Sequence, residues 1–434
     1  MQRLIPNKNI VAITLFLRTA PAILAVIALL PAAIGQTESS QVQAPTRAEA
    51  LAAERDAKAT TTLTLAKPEQ IYYRVLKNPF VRGFLTPESG LTVRFGGLYP
   101  GSSFAMGLNY TKNGLLNDNV NFSAFASGSV RLYYAAGVLI SAPHLATDRV
   151  EIDYLLRRTY APQMPYYGPG NRSSEATRSN YLQEDVLNSA RIGYKPFRRY
   201  LSLGVMGGVQ QFNIGHGTSG DHPSTEDIFG PQQTPGVDRQ ANYTQLGPFA
   251  VIDYTDDSTN PHSGGRYESR YLWFHDYKFD SYSFRKAQVS AEQYIPFLNK
   301  KRVIALRARS EWNLTDGGDQ VPFYLQANLG GPNDLRGYRQ FRFYDNNSLL
   351  FNGEYRYEVT QRIDVAVFTD WGKVFPRPGQ MAFSDMRGSA GFGIRLRSGG
   401  PNMIRFDVGF GPGGVNFWFS FNDIFQGYSR HSLY

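Results

Sequence analysis

Apolar and polar residues alternate with a period of two along the C-terminal third of the chain, and this pattern constrains the fold most. In Val415–Asn422 every odd position is apolar and most even positions are polar. In Ile404–Phe410 the even positions are apolar, whereas Arg405 and Asp407 occupy odd positions. Because side chains of a β-strand point alternately to its two faces, the pattern predicts strands with one apolar face and one charged face.

The N-terminus predicts export from the cytoplasm. Arg3 and Lys8 precede the uncharged apolar run Pro21–Pro31, and Ala33–Gly35 offers a small-x-small cleavage site. We therefore predict a signal peptide at residues 1–35, cleaved near Gly35. The alternative is a membrane anchor, but the apolar run is shorter than the ~20 residues of a spanning helix.

The composition fits a barrel that exposes only alternate residues to lipid. The chain contains 42 Gly, 29 Phe and 27 Tyr, and its mean hydropathy is −0.35. Beyond the N-terminus no run is long and apolar enough for a membrane helix, as expected for a transmembrane barrel. The absence of cysteine excludes a disulfide scaffold and a thiolate metal site. We attribute the net charge of +9 to lumen and surface arginines rather than to nucleic-acid binding.

The alternation can be followed upstream and predicts about 16 strands. An even count returns both chain ends to one side, where the turns at 195–199 and 296–300 are short. The long connections at 161–181, 214–242 and 315–347 then share the other side, as in outer-membrane barrels. The predicted strands are 90–98, 101–111, 119–127, 130–141, 149–160, 182–194, 200–213, 243–255, 266–279, 281–294, 302–314, 348–358, 362–371, 387–397, 402–410 and 414–424.

The predicted fold class is all-β: a transmembrane antiparallel β-barrel at 89–434 with a long loop folded into its lumen. Residues 36–88 are polar and form either a periplasmic linker or a short helix. A soluble secreted β-sandwich is the alternative, with its apolar strand faces in a core. The export signal and the aromatic-ended strands favour the barrel, whose apolar face meets lipid and whose charged face meets the lumen.

An arginine in a glycine-flanked loop predicts the plug of this lumen. Arg336 lies in Leu335-Arg336-Gly337-Tyr338, which follows the glycine pair at 330–331 within a long loop. An arginine fork that grips a lumen carboxylate would hold the loop tip inside the barrel. Asp370 and Glu354 both face inward on adjacent predicted strands. The predicted register places Glu354 about three residues, or ~10 Å, from Asp370, which is long for one guanidinium, so Asp370 is the preferred partner.

The predicted lumen face carries nearly balanced charge. Unpaired charges in a narrow lumen would be unfavourable, so ion pairs and water must satisfy them. Both an open pore and a plugged barrel are compatible with this face. Its arginines are Arg307, Arg309, Arg356, Arg395, Arg397 and Arg405, and its carboxylates are Glu311, Glu354, Glu358, Asp370 and Asp407.

Two motifs resemble those of the BamA/TamA-like outer-membrane proteins, the bacterial surface antigen superfamily. Residues 329–338 look like the family's sixth-loop motif, and Phe368–Gly372, which contains Asp370 and Gly372, looks like its partner strand motif. The family places that arginine against that aspartate. Asn352–Tyr357, Asp256–Gly265 and Gly414–Phe425 are similar to the intervening strand, a periplasmic turn and the last strand.

The resemblance implies an outer-membrane protein of a Gram-negative-type bacterium that assists insertion or translocation of proteins or lipids. Its first and last strands would part sideways, and the Arg336 loop would stabilise the closed lumen. Residues 36–88 are too short for one POTRA module, so the chain resembles a barrel-only branch. Outer-membrane lipid is the expected partner, and nascent outer-membrane proteins or lipids are the expected clients. The client, the oligomeric state and the role of the chain after Phe425 stay open.

Two other functions stay open beside assembly: a passive anion-preferring pore and a purely structural barrel. We predict no enzyme activity and no cofactor, since the six histidines are scattered and form no His-x-x-x-His pair. The attribution of the positive charge to lumen and surface arginines also predicts no nucleic-acid partner. Asp253, Asp256 and Asp257 crowd one turn and could bind calcium, but aspartates in turns more often accept backbone hydrogen bonds. We therefore predict no metal site.

Overall fold

A computed structural model describes residues 90–420, except 97, 99–101, 103–104, 198–199, 219, 258–259, 299–300, 361 and 398–402. The predicted signal peptide at 1–35 and the predicted linker or helix at 36–88 lie outside these residues. So do the end of the last predicted strand and the chain after Phe425.

The described residues form one 16-stranded antiparallel sheet in which sequence neighbours pair, together with a separate two-stranded sheet. This confirms the predicted antiparallel barrel and its strand number. Only the small sheet, β12 and β13, interrupts the order, between β11 and β14. The strands are β1 Gly90–Gly96, β2 Ala105–Gly114, β3 Val120–Ser129, β4 Tyr134–His144, β5 Val150–Tyr166, β6 Ser179–Tyr194, β7 Leu201–His216, β8 Asn242–Asp253, β9 Gly264–Asp276, β10 Phe284–Phe297, β11 Arg302–Leu314, β12 Ala327–Leu329, β13 Phe343–Asp345, β14 Asn347–Thr360, β15 Ile363–Phe375, β16 Arg387–Arg397, β17 Met403–Gly411 and β18 Gly414–Ser420.

Within the described residues, helical structure is confined to short turns. The helices α1 (Leu115–Asp118) and α2 (Leu145–Asp148) connect β2 to β3 and β4 to β5, and α3 (Thr225–Ile228) lies between β7 and β8. Two 3₁₀ turns span Phe323–Leu325 and Pro378–Gln380. None of the helices in the described part of the chain has the length and apolar character required to cross a membrane.

Charged side chains point inward and apolar side chains point outward along the C-terminal strands. Arg395 and Asp370 are 1% and 0% exposed, whereas Val367 and Phe417 are 55% and 78% exposed. A soluble sandwich would show the opposite distribution. The alternation in the sequence therefore becomes a charged lumen inside an apolar outer surface, as a lipid-facing barrel requires.

Strands β5 and β6 extend beyond their predicted ends, to Tyr166 and from Ser179. Near these ends no charged residue marks the inward face, and Tyr166 and Tyr181 are buried instead, so the period-two signal fades. Tyr166 is fully buried there, and the ring centroids of Phe229, Phe323 and Tyr344 lie 5.1–5.2 Å from its own. Aromatic packing thus joins segments of different long loops at this end of the barrel.

The connection between β11 and β14, residues 315–346, is called the plug loop below. Its short strands β12 and β13 pair antiparallel, with Asn328 opposite Tyr344, so part of the predicted irregular loop is a hairpin. A buried apolar cluster joins the loop to the inner faces of β14 and β15. Its members are Leu329, Leu335, Tyr338, Phe343, Leu350 and Val374.

Candidate functional site

Glycines shape the tip of the plug loop. Gly330 and Gly331 have φ angles of 123° and 105°, in the region that side-chain-bearing residues rarely adopt. The backbone N–H groups of Gly331 and Tyr338 both donate to the Leu335 carbonyl, at 3.2 and 3.0 Å. Gly337 is required for a different reason, since a Cβ atom there would lie 2.4 Å from the Phe410 carbonyl oxygen. The tip therefore lies directly on the barrel wall.

Arg336 is fully buried and makes a two-pronged contact with Asp370. Its Nε donates to Oδ2 at 3.0 Å and its Nη2 donates to Oδ1 at 2.8 Å. The backbone N–H of Arg336 also donates to Oδ2, at 3.1 Å. Fork geometry of this kind fixes position as well as charge, because the two parallel N–H groups must each point at one carboxylate oxygen.

The same guanidinium also reaches Glu354, which the predicted register placed too far away. Glu354 pairs with Phe368 rather than Val367, so it lies two residues from Asp370 along the sheet. Arg336 Nη1 donates to Glu354 Oε2 at 2.6 Å while the other two nitrogens hold Asp370. The predicted separation was therefore wrong, and one arginine bridges two strands.

Neighbouring side chains complete the surroundings of this pair. Asn352 Nδ2 donates to Asp370 Oδ1 at 2.7 Å and also to the Asp334 carbonyl at 2.8 Å. The Arg336 guanidinium carbon lies 3.3 Å from the centroid of the Phe368 ring, so the ring face stacks against the cation. The buried ion pair therefore has both the hydrogen bonds and the apolar support that a dry site requires.

Four of the other predicted lumen charges, Arg356, Arg395, Arg405 and Asp407, extend the network from Glu354. Arg395 Nη2 lies 3.0 Å from both Glu354 oxygens, and Arg356 Nε donates to Oε1 at 2.9 Å. Arg395 Nη1 donates to Asp407 at 2.6 Å, and Arg405 Nε lies 3.0 Å from the same carboxylate. Each carboxylate thus meets more than one arginine.

Arg405 returns this network to the plug loop. Its Nη2 donates to the Pro332 carbonyl at 2.7 Å and to Asn333 Oδ1 at 3.0 Å. An arginine of β17 therefore holds the loop in addition to the loop's own arginine. We call Arg336, Glu354, Arg356, Asp370, Arg395, Arg405 and Asp407 the lumen cluster.

Arg397, Gly372 and Tyr338 lie outside the lumen cluster. Arg397 pairs with Glu358 at 3.1 Å and with Asp364 at 2.8 Å, in a separate group nearer the short turns. Gly372 makes room for the loop, because a Cβ atom there would lie 2.9 Å from Leu329 Cδ1. Tyr338 packs edge-on against Phe343, with 5.2 Å between ring centroids.

Two polar contacts of the loop tip were missed in the sequence. Trp418 Nε1 donates to the Arg336 carbonyl at 2.7 Å, and Asn416 Nδ2 donates to the Gly337 carbonyl at 2.9 Å. Trp418 occupies an even, otherwise mostly polar position of β18. An aromatic residue on the lumen side of an otherwise polar strand face was the sequence signal that could have revealed this contact.

The turn between β8 and β9 uses its aspartates for backbone bonds. Asp256 Oδ1 accepts the N–H groups of His262 and Ser263, at 2.9 and 3.0 Å, and Asp257 Oδ1 accepts that of Asn260 at 3.1 Å. No group of three or more metal-ligating side chains is found among the described residues. The lumen cluster offers salt bridges and hydrogen bonds, and such an arrangement positions and holds the loop.

Comparison with known families matches residues 86–422 to the Omp85 superfamily domain. The chain belongs to the Omp85 superfamily. Barrels of this superfamily are outer-membrane proteins of Gram-negative bacteria. Comparison with curated protein sequences finds no match.

Two solved structures with low sequence identity share the fold of this Omp85 barrel. BamA from Haemophilus ducreyi lacking POTRA domains 1-3 matches with a TM-score of 0.56 and 14% identity, over 76% of this chain and 70% of that chain. CdiB from Escherichia coli matches with a TM-score of 0.53 and 15% identity, over 77% of this chain and 62% of that chain.

Loss of the Arg336 cation should destabilise the Omp85 barrel. Arg336→Ala leaves Asp370 and Glu354 without the cation that bridges them, and breaking a buried pair costs about 3–5 kcal/mol. We expect a loss of that size in the free energy of unfolding, measured by urea titration of the refolded protein in lipid vesicles. Arg336→Lys keeps the charge but loses the fork, so we expect an intermediate loss.

Arg172→Ala is the matched control. Arg172 Nη2 lies 2.8 Å from Asp385, but the arginine side chain is 79% exposed. Removing an exposed pair of this kind changes stability by less than about 1 kcal/mol. Equal losses in Arg336→Ala and Arg172→Ala would contradict a special role for the buried contact.

The plug loop of the Omp85 barrel also contains a buried carboxylate outside the lumen cluster. Asp345 in β13 is 5% exposed, and its Oδ1 accepts the backbone N–H of Asn346 at 2.8 Å. Burial raises the pKa of Asp345 to about 6, and the Asn346 bond only partly opposes this. The pKa of Asp345 is higher in the folded than in the unfolded protein. The contribution of the protonated carboxyl group to stability is therefore fully present below about pH 4 and is lost as pH rises through about 6.

Asp345→Asn should remove this pH dependence. The amide stays neutral at every pH, so the variant should match the wild type near pH 4 and exceed it by up to about 3 kcal/mol at pH 7.5. Urea titrations at the two pH values measure the difference. A stability difference that is the same at both pH values would contradict the assignment.

Proposed function

We propose that this barrel assists insertion or translocation of proteins or lipids at the outer membrane, with the plug loop holding the lumen closed at rest. The observation that carries the proposal is the fully buried Arg336, bonded to Asp370 and Glu354 on two strands of the wall. A loop anchored in this way obstructs the lumen. A simple diffusion pore has no need of such an anchor.

The ends of the sheet supply a lateral exit in this proposal. Within the described residues β1 and β18 have 7 residues each, and each pairs with one neighbour, β2 and β17. Strands near the middle of the sheet, such as β6 with 16 residues, pair on both sides. Because each end strand pairs with one neighbour within the described residues, the seam between the first and last strands is the place in this proposal where the wall parts toward lipid.

A passive anion-preferring pore is the second candidate, and the charges of the lumen cluster favour it. The cluster contains four arginines, Arg336, Arg356, Arg395 and Arg405, but three carboxylates, Glu354, Asp370 and Asp407. An excess positive charge in a narrow lumen attracts anions. In this case the plug loop would act as a constriction. A structural barrel without transport is the third possibility.

Single-channel conductance in planar bilayers separates these functions. We expect a mostly closed wild type, because the loop fills the lumen, and frequent opening in Arg336→Ala and Asp370→Ala, because each removes half of the anchor. Arg172→Ala, which loses only an exposed ion pair, should stay closed. A steadily open wild type that all three substitutions leave unchanged would favour the passive pore.

A client assay separates assembly from a structural role. A small outer-membrane barrel is diluted from urea into phospholipid vesicles with or without the reconstituted protein, and its folding is followed by gel mobility without heating. We expect faster client folding with the wild type than with empty vesicles. A closed channel that leaves the client's folding rate unchanged would favour the structural barrel.

A further inference from the structure

The backbone of the plug-loop tip lies directly on β17, beside the last strand. A Cβ atom at Gly409 would lie 2.2 Å from the Arg336 carbonyl oxygen, and one at Gly411 would lie 2.3 Å from the Gly337 carbonyl oxygen. Both positions therefore require glycine for the loop to reach the wall. The close approach brings the two loop carbonyls within reach of side chains on β18.

Two side chains of β18 donate to those two carbonyls. Asn416 lies opposite Gly409 of β17, and Trp418 lies opposite Asp407. Both side chains therefore point into the lumen, as Asp407 does. Trp418 Nε1 donates to the Arg336 carbonyl at 2.7 Å, and Asn416 Nδ2 donates to the Gly337 carbonyl at 2.9 Å. The intervening Phe417 points the other way and is 78% exposed. Consecutive inward side chains of the last strand thus hold consecutive carbonyls of the loop.

These contacts give β18 a second attachment. Within the described strands its backbone pairs with β17 alone, over seven residue pairs. Side-chain bonds from β18 to the loop tip run inward, toward a segment that Arg336 anchors on β14 and β15. The last strand is therefore linked through the loop to strands that are not its neighbours.

We infer that Trp418 and Asn416 are positioning residues that tie the last strand to the tip of the plug loop, so that displacement of the loop also loosens β18. The inference deepens the proposed function, because it makes loop release and opening of the seam one event. The contacts of Trp418 and Asn416 with the loop do not depend on the identity of any client. Hydrogen–deuterium exchange can therefore test the inference without a client.

Hydrogen–deuterium exchange of the refolded full-length protein in vesicles tests the tie. Trp418→Phe keeps an aromatic ring but removes the indole N–H. We expect amides of both β18 (414–420) and the loop tip (333–338) to exchange about threefold to tenfold faster, the effect of losing one hydrogen bond. Trp371→Phe is the matched control, because Trp371 is 49% exposed and its Nε1 donates to Thr369 of its own strand at 2.9 Å. It should leave both segments unchanged.

A double variant distinguishes coupling from local damage. Arg336→Ala should by itself speed exchange in β18, although residue 336 keeps its backbone carbonyl. In the Arg336→Ala background, Trp418→Phe should then have a smaller effect than in the wild type, because the loop is already released. Fully additive effects, or faster exchange in β18 without any change in the loop tip, would overturn the inference.

A second variant covers the case in which Trp418→Phe does not refold. Asn416→Asp keeps the side-chain shape but replaces the amide donor with an acceptor that repels the Gly337 carbonyl. We expect the same paired increase in exchange in β18 and the loop tip. Unchanged exchange in both segments would overturn the inference. The outcome is independent of client folding, so the tie and the proposed assembly function succeed or fail separately.

Discussion

The burial of one guanidinium governs the interior of this barrel. Arg336 is 0% exposed, and a lone charge withdrawn from water is strongly unfavourable unless hydrogen-bonded partners of opposite charge surround it. Asp370 and Glu354 supply those partners from two adjacent strands, at 2.8 and 2.6 Å. The position of the loop, the register of β14 against β15 and the inward direction of both carboxylates must therefore agree for the loop to stay inside.

The charges form a chain that begins and ends on the plug loop. It passes from Arg336 through Glu354, Arg395 and Asp407 to Arg405, which donates back to a loop carbonyl at 2.7 Å. Groups that share partners in this way do not contribute independently to stability, and the loss of one changes the surroundings of the others. The aromatic packing around Tyr166 holds the long-loop end by a different force, which does not require charge.

Much of the fold and part of the site could be predicted from the sequence, because short-range patterns carry them. Period-two alternation predicts strands and their lumen faces, and the glycine-flanked Arg336 predicts a cation delivered by a loop. The strand ends at Tyr166 and Ser179 were missed because no charged residue marks the inward face there, where Tyr166 and Tyr181 are buried instead. The β12–β13 hairpin was missed because its strands have three residues each, too few for a periodic signal.

The sequence by itself determined the alternating faces, the inward charges and the residue types that could lock a loop. Apart from the predicted pair of Arg336 and Asp370, only the tertiary structure decided which charges meet. The observed pairing of β14 with β15 differs by one residue from the predicted register. It places Glu354 within reach of the arginine that holds Asp370. Likewise, the contacts of Trp418 and Asn416 depend on a loop tip 79 to 82 residues away in the chain. Register and long-range contact arise from the packing of the whole sheet, and local sequence patterns do not encode them.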